Sequence, residues 1–202
     1  MALNQFVVGR YPREGMLRDG AAVRLAPMSE SDLEAVCQFL RESPAAYGQL
    51  IEPDVTMCGP GQVSEAAIEC EEVFPLLAWQ GSRVIGEGLL YRVEWPGLSS
   101  GRVVIVEHSE FQGKGVARLL LEELMQAALA GGLTQLVAQC VRDQRSVIEA
   151  LLVEGFVEHQ RPQSRVDRTR DRVMRIRNLS RRFSTYWQVG NLPHESARLA
   201  LA

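Results

Sequence analysis

The stretch EFQGKGVARLLLEELMQAALAGG, residues 110–132, constrains the fold more than any other part of the chain. It follows the β-branched run Val103–Val106 and passes through Gly113 and Gly115 straight into an apolar pattern of helical period. That pattern runs from Val116 to Ala130 and stops at Gly131-Gly132. A strand entering a helix through a glycine turn points several unpaired backbone N–H groups at one place, and the helix dipole adds roughly half a positive charge there. The chain's single lysine, Lys114, lies between the two glycines, and Arg118 follows. Two readings fit: a tight turn that happens to precede a helix, or a cradle for phosphate or pyrophosphate with basic residues at its rim.

The remaining patterns supply a sheet around this turn. MLRDGAAVRLAPM reads as a short hairpin turning at Asp19-Gly20. SESDLEAVCQFLRES reads as a helix, with Ser29 and Asp32 as a capping box and Leu33, Val36, Cys37 and Leu40 as its apolar stripe. Residues 44–62 are rich in proline and glycine and read as a long loop, and SEAAIECEE as a short helix capped by Ser64. VFPLLAWQ, RVIGEGLLYRVEW and RVVIVEHSEF, parted by Gly81-Ser82 and Pro96-Gly97, read as three successive antiparallel strands. After the central helix come a strand (LTQLVAQCV), a short helix (RSVIEALLVE) ended by Gly155, and a final strand pair from FVEHQRPQSRV and DRVMRIRNL. One strand–helix–strand crossover inside an otherwise antiparallel arrangement predicts an α/β fold, a mixed, mostly antiparallel central sheet flanked by helices. No repeat or composition break divides residues 1–202, so a single domain is expected, with 181–202 as a tail of no clear assignment.

Charge and cysteine usage exclude some function classes. A net charge of -3 and pI near 5.7 give no general reason to expect nucleic-acid binding. Nine arginines against two aspartates fall between Arg161 and Arg182, a run that reads as solvated strand faces or as an anion-binding surface without interleaved aromatics. Cys37, Cys58, Cys70 and Cys140 and the three histidines lack metal-ligand spacing, so no metal is expected and reduced thiols in a cytoplasmic protein are the default. No stretch approaches the roughly 20 apolar residues needed to span a bilayer, and no membrane association is expected.

Neither GxxxxGK[ST] nor a complete GxGxxG is present; Arg118 stands where a third glycine would be. What fits is Gln112-x-x-Gly115-x-Ala117. With a strand before it and a helix after it, this resembles the Arg/Gln-x-x-Gly-x-Gly/Ala pyrophosphate motif of the GNAT superfamily of acyl-CoA N-acyltransferases. VAQCVRDQRSVIEALLVEGF is similar to the second half of such proteins, ending in Gly155-Phe156. YPREGMLRDGAAVRLAPMSESDLEAVCQFL is similar to the first strand and helix of a bacterial subgroup. The resemblance spans about residues 11–180.

That resemblance implies acetyl-CoA as co-substrate. Its pantetheine arm would lie where the strand at 103–107 splays from the strand at 134–140, along Ile105, Val106 and Glu107. The backbone of Ile105 and Glu107 would pair with it, and the Ile105 amide would face the thioester carbonyl. The pyrophosphate would rest on Gln112, Gly113, Lys114, Gly115, Val116, Ala117 and Arg118. Gln144 stands where many relatives carry Asn and would reach the cofactor or lie on a surface loop.

The chain departs from the pattern at the proton donor. Many relatives place a tyrosine four residues before the Gly of Gly-Phe; here that position is Leu151, between Ala150 and Leu152. Relatives often place a glutamate where the motif strand begins; Gly101 and Arg102 stand there. The candidates for the base are Glu107, Glu87, Glu94 and His108, or a water chain. Two function classes follow: an N-acetyltransferase acting on a primary amine, small molecule or protein lysine, or a weakly active or inactive acyl-CoA-binding module. The acceptor is expected to enter opposite the cofactor, drawn by Glu52, Asp54, Glu69, Glu71 and Glu72, unless these form a solvated acidic surface. Phe183, Tyr186 and Trp187 lie beyond the expected core and point to a homodimer, or to a tail that folds back on its own domain.

Overall fold

The computed structural model describes residues 9–43, 60–95, 98–141, 144–159 and 172–179. The strands are β1 (Arg13–Met16), β2 (Ala22–Pro27), β3 (Val73–Gln80), β4 (Arg83–Trp95), β5 (Leu98–Glu107), β6 (Gln135–Val141), β7 (Val157–His159) and β8 (Arg172–Asn178). The helices are α1 (Leu33–Glu42), α2 (Pro60–Glu69), α3 (Val116–Ala130) and α4 (Arg145–Val153). One sheet takes the order β1-β2-β3-β4-β5-β6-β8-β7, with β5 and β6 parallel and every other neighbouring pair antiparallel. The mixed, mostly antiparallel α/β sheet read from the sequence is the one observed.

Alternation along the central strands divides the core into two layers. Val103 and Ile105 on β5 join Leu120, Leu121 and Leu124 of α3, and Val147 and Leu151 of α4, on one face. Val104 and Val106 join Leu77 and Leu89 with Val36, Phe39 and Leu40 of α1 on the other. Gly86 and Gly88 of β4 let α3 lie close: a Cβ on them would stand 2.6 Å from a Val116 methyl and 2.9 Å from a Leu124 methyl.

Several boundaries differ from the sequence reading. In α1 the wholly enclosed positions are Val36, Phe39 and Leu40, while Leu33 and Cys37 sit at the edge of the stripe. The Ser29–Asp32 cap is present, with the Ser29 N–H donating to Asp32 Oδ2 at 2.9 Å. It precedes a single 3-10 turn (Glu30–Asp32) rather than α1 itself. Helix α2 begins at Pro60, not Ser64, because proline is well suited to a first helical position. Residues 60–62 of the expected loop are therefore helical. Strand β5 ends at Glu107, and Ser109–Phe111 fold into a 3-10 turn. Strand β8 inserts between β6 and β7, so the final pair reaches the sheet through its second member. Glu52, Asp54, most of the arginine run and the aromatic tail lie outside the described residues. No helix among the described residues is long and apolar enough to cross a membrane.

Candidate cofactor and catalytic site

Parallel pairing between β5 and β6 runs from Ser100–Gln135 to Val103–Ala138 and stops there. Beyond that point β5 continues to Glu107 and, among the described residues, is paired on one side only, with β4. The register shows which main-chain groups this frees. The His108 N–H donates to the Ile85 carbonyl at 3.0 Å. Because antiparallel ladders alternate, Val106 and Val104 then bond to β4, while the N–H and C=O of Ile105 and Glu107 point toward the β6 side. Those two residues present the unpaired edge expected of them. Val106 does not: its main chain faces Glu87 and its side chain lies in the opposite core layer.

Gly113 and Gly115 have φ of 76° and 102°, backbone that side chains rarely adopt. A Cβ at Gly113 would meet nothing within 4 Å, and one at Gly115 only Arg18 Cγ at 3.7 Å, so the turn is open on its outer side. Of its amides, that of Lys114 donates to the Phe111 carbonyl at 3.1 Å and that of Ala117 to Glu107 Oε1 at 2.8 Å. The amides of Gly113, Gly115 and Val116 have no acceptor among the described residues. A cleft opens here between the first turns of α3 and α4, lined by Gly113, Gly115, Ala117 and Arg118 on one side and Ser146 and Glu149 on the other. The Gln112 backbone leads into the turn as the C-cap of the 3-10 segment. Gln144 is the N-cap residue of α4, and its carbonyl accepts from the Ile148 N–H.

The basic side chains at the rim are already matched. Lys114 Nζ lies 3.7 Å from Asp19 Oδ2 and 4.8 Å from the Phe111 ring centre, and Arg118 Nε donates to Glu122 Oε1 at 2.7 Å. Sequence reasoning missed Arg18. From the β1–β2 turn it reaches the Gly113 carbonyl at 3.1 Å and stands 3.8 Å from Glu149, so it lines the cleft as well. Nothing in the sequence links residue 18 to residue 113; the β1–β2 turn does so by packing on the glycine turn, where the Arg18 N–H also donates to the Lys114 carbonyl at 2.9 Å. Ser146 was missed for the same reason.

The candidate bases separate by face. Glu107 points toward α3 and α4, is 5% exposed, and its carboxylate also accepts a hydrogen bond from the Ser146 hydroxyl. Burial pushes its pKa up, against lowering by Ser146, the Ala117 amide and Arg18. Glu87 pairs with Val106 and so points to the α1 side. It is 1% exposed, its Oε2 has no hydrogen-bond partner among the described residues, and burial raises its pKa from 4.5 to about 7. His108 is buried beside Phe39, with Nε2 3.2 Å from Glu42 Oε2, in a cluster completed by Arg83. Glu94 is on β4; its side chain lies outside the described residues. Leu151 is wholly buried, as a core residue rather than a lining one. Of the acidic run, Glu69, Glu71 and Glu72 are exposed, and Glu72 is held 3.0 Å from Arg92 Nε.

Comparisons with known proteins bear on the family and the fold. The family model described as Acetyltransferase (GNAT) family matches residues 34–152. The GNAT domain of S. lividans PAT superposes with a TM-score of 0.63 at 17% identity, over 84% of this chain and all (100%) of that one. The ribosomal-protein-S5-alanine acetyltransferase of Vibrio fischeri gives 0.64 at 14% identity, covering 79% and 94%. A putative acetyltransferase of Salmonella typhimurium, yncA, solved with acetyl-CoA, gives 0.62 at 17% identity, covering 79% and 95%. No curated protein matches the sequence.

Proposed function

Because the chain belongs to the acetyltransferase (GNAT) family, we propose that it is an acetyl-CoA-dependent N-acetyltransferase that passes the acetyl group to a primary amine by direct attack. The observation that carries this reading is the end of β5–β6 pairing at Val103, beside a glycine turn with free amides. The open edge suits a pantetheine arm, which carries amides able to pair like an added strand. The turn suits the pyrophosphate at the other end of that arm. A structurally similar protein solved with acetyl-CoA supports the choice of donor.

In this reading the Ile105 N–H donates to the thioester carbonyl and stabilises the oxyanion, a contribution of about 2.7–4 kcal/mol for such a donor. Glu87 takes the proton from the incoming amine through one water. It lies on the α1 face, opposite the pyrophosphate turn, where the acceptor is expected, and a buried carboxylate with a pKa near 7 is suited to a base. Glu107, on the other face and held by two helices, is assigned to the cofactor side instead. The thiolate leaves without a tyrosine acid, since Leu151 lies in the core.

One observation favours a second reading, an acyl-CoA-binding module of slow turnover. General-acid help is worth about 10²–10⁴ in rate, and no donor stands at Leu151. Screening acetyl-CoA turnover by free-thiol release against polyamines, aminoglycosides, amino acids and lysine peptides separates the two. Amine-stimulated release supports the enzyme. Tight binding without release from any amine supports the module.

A further inference from the structure

The floor of the pyrophosphate cleft is itself an acid. Glu107 occupies a strand position whose neighbours Val103 and Ile105 face the apolar layer, yet its carboxylate takes the Ala117 amide at the first turn of α3. Its second oxygen accepts from Ser146 on α4, so one carboxylate spans the two helix ends between which the pyrophosphate would lie. The surrounding charges do not leave this anion a surplus of cations. Arg18 from the β1–β2 turn faces Glu149 of α4, Lys114 from the glycine turn faces Asp19, and Arg118 of α3 faces Glu122. Arg145 begins α4 on an exposed position, and His108 points to the opposite face, toward Glu42.

We propose that Glu107 is an internal competitor for the pyrophosphate site, so that acetyl-CoA binds with the uptake of one proton at Glu107. The proposal rests on the cofactor reading above and adds what that reading does not contain. The ionised carboxylate sits on the Ala117 amide, next to the Gly113, Gly115 and Val116 amides that would hold the pyrophosphate, so two anions would lie side by side at one helix end while the cations at the rim already face carboxylates. Protonation removes one of them: neutral Glu107 keeps a hydrogen bond to Ser146 and releases the Ala117 amide. Burial already moves the carboxyl in this direction, and a second anion beside it moves it further. Above the pKa of unliganded Glu107, affinity therefore falls as pH rises.

Calorimetric titration with acetyl-CoA, across pH and in buffers of different ionisation heat, tests this. One linked proton means an affinity loss of up to about tenfold per pH unit over that range. Glu107→Gln keeps an acceptor for the Ala117 amide but cannot ionise. It should bind as the parent does at low pH, bind more tightly at high pH, and lose one proton of uptake relative to the parent; the cofactor's own phosphate ionisation cancels in that difference. Ser146→Ala, which removes a donor to the carboxylate, should shift the parent's profile to higher pH and decides the matter if Glu107→Gln does not fold. Parallel profiles with equal proton uptake, or weaker binding by Glu107→Gln at every pH, overturn the proposal and make Glu107 a helix cap only. Acetyl-CoA bound by no protein at any pH overturns the cofactor reading itself.

Discussion

Replacing Glu87 by Gln should make the protein more stable and less active, and the stability gain should depend on pH in a defined direction. Glu87 is fully enclosed, Oε2 has no partner among the described residues, and burial raises its pKa from 4.5 to about 7. In the unfolded chain the carboxyl ionises near its ordinary value; in the folded protein it stays protonated until the pH approaches 7. The unfolded state then binds fewer protons than the native state between those values, so stability is fully present below the lower one. It falls as pH rises through the window and stays lowered above it. At 1.36 kcal/mol per pKa unit, the loss is about 3 kcal/mol, which Glu87→Gln abolishes. Urea unfolding of both proteins from about pH 4.5 to 8.5 measures it: the two midpoints should lie close at the acid end and separate toward the alkaline end, with unchanged slopes. Loss of kcat in the same variant, with cofactor affinity retained, would mark the strain as belonging to a working base. A midpoint difference that is constant with pH would refute the reasoning, because it would place an ordinary, solvated carboxylate at residue 87.

Further outcomes follow from the same geometry. Gly115→Val, at a φ of 102° on the open side of the turn, should abolish acetyl-CoA binding in calorimetry while leaving a folded protein by circular dichroism. Lys114→Ala should weaken binding only slightly in the same titration, since its ammonium is half-exposed and leans on Asp19 and Phe111. Phe156→Ala, at a wholly buried ring following Gly155, should cost about 3–5 kcal/mol in urea unfolding. The apolar Phe183, Tyr186 and Trp187 of the sequence predict a dimer mass in light scattering at high micromolar concentration; a monomer mass would remove self-association from the account.

The fold was legible because its signals are local. The glycine turn, the helix Val116–Ala130 with Gly131 as its C-cap, and the β-branched runs each carry their own period and their own stop. The splay after Val103 came from the family resemblance, and the register places it where expected. What stayed hidden depends on contacts between distant residues. Arg18 and Ser146 reach the cleft only because sheet order and helix packing bring their elements beside α3. Glu107 stood out as an acid in an apolar strand, but its partners on α3 and α4 could not be read from its neighbours. The start of α2 was missed because proline, a loop signal elsewhere, serves equally well at a helix's first position. Phe39 was left out of the α1 stripe because the buried face is centred on Val36, Phe39 and Leu40, an i, i+3, i+4 set shifted round the helix from the one read through Leu33 and Cys37.

The central claim is acyl transfer from acetyl-CoA to an amine, with Glu87 as base. It is tested most directly by measuring, in one reaction, the CoA thiol released and the N-acetylated amine formed, by mass spectrometry, across pH. The account predicts matched amounts of the two products and a rate that rises as pH passes through about 7, with that limb lost in Glu87→Gln. Tight acetyl-CoA binding with no acetylated amine from any acceptor, or a rate and pH profile unchanged in Glu87→Gln, would contradict it.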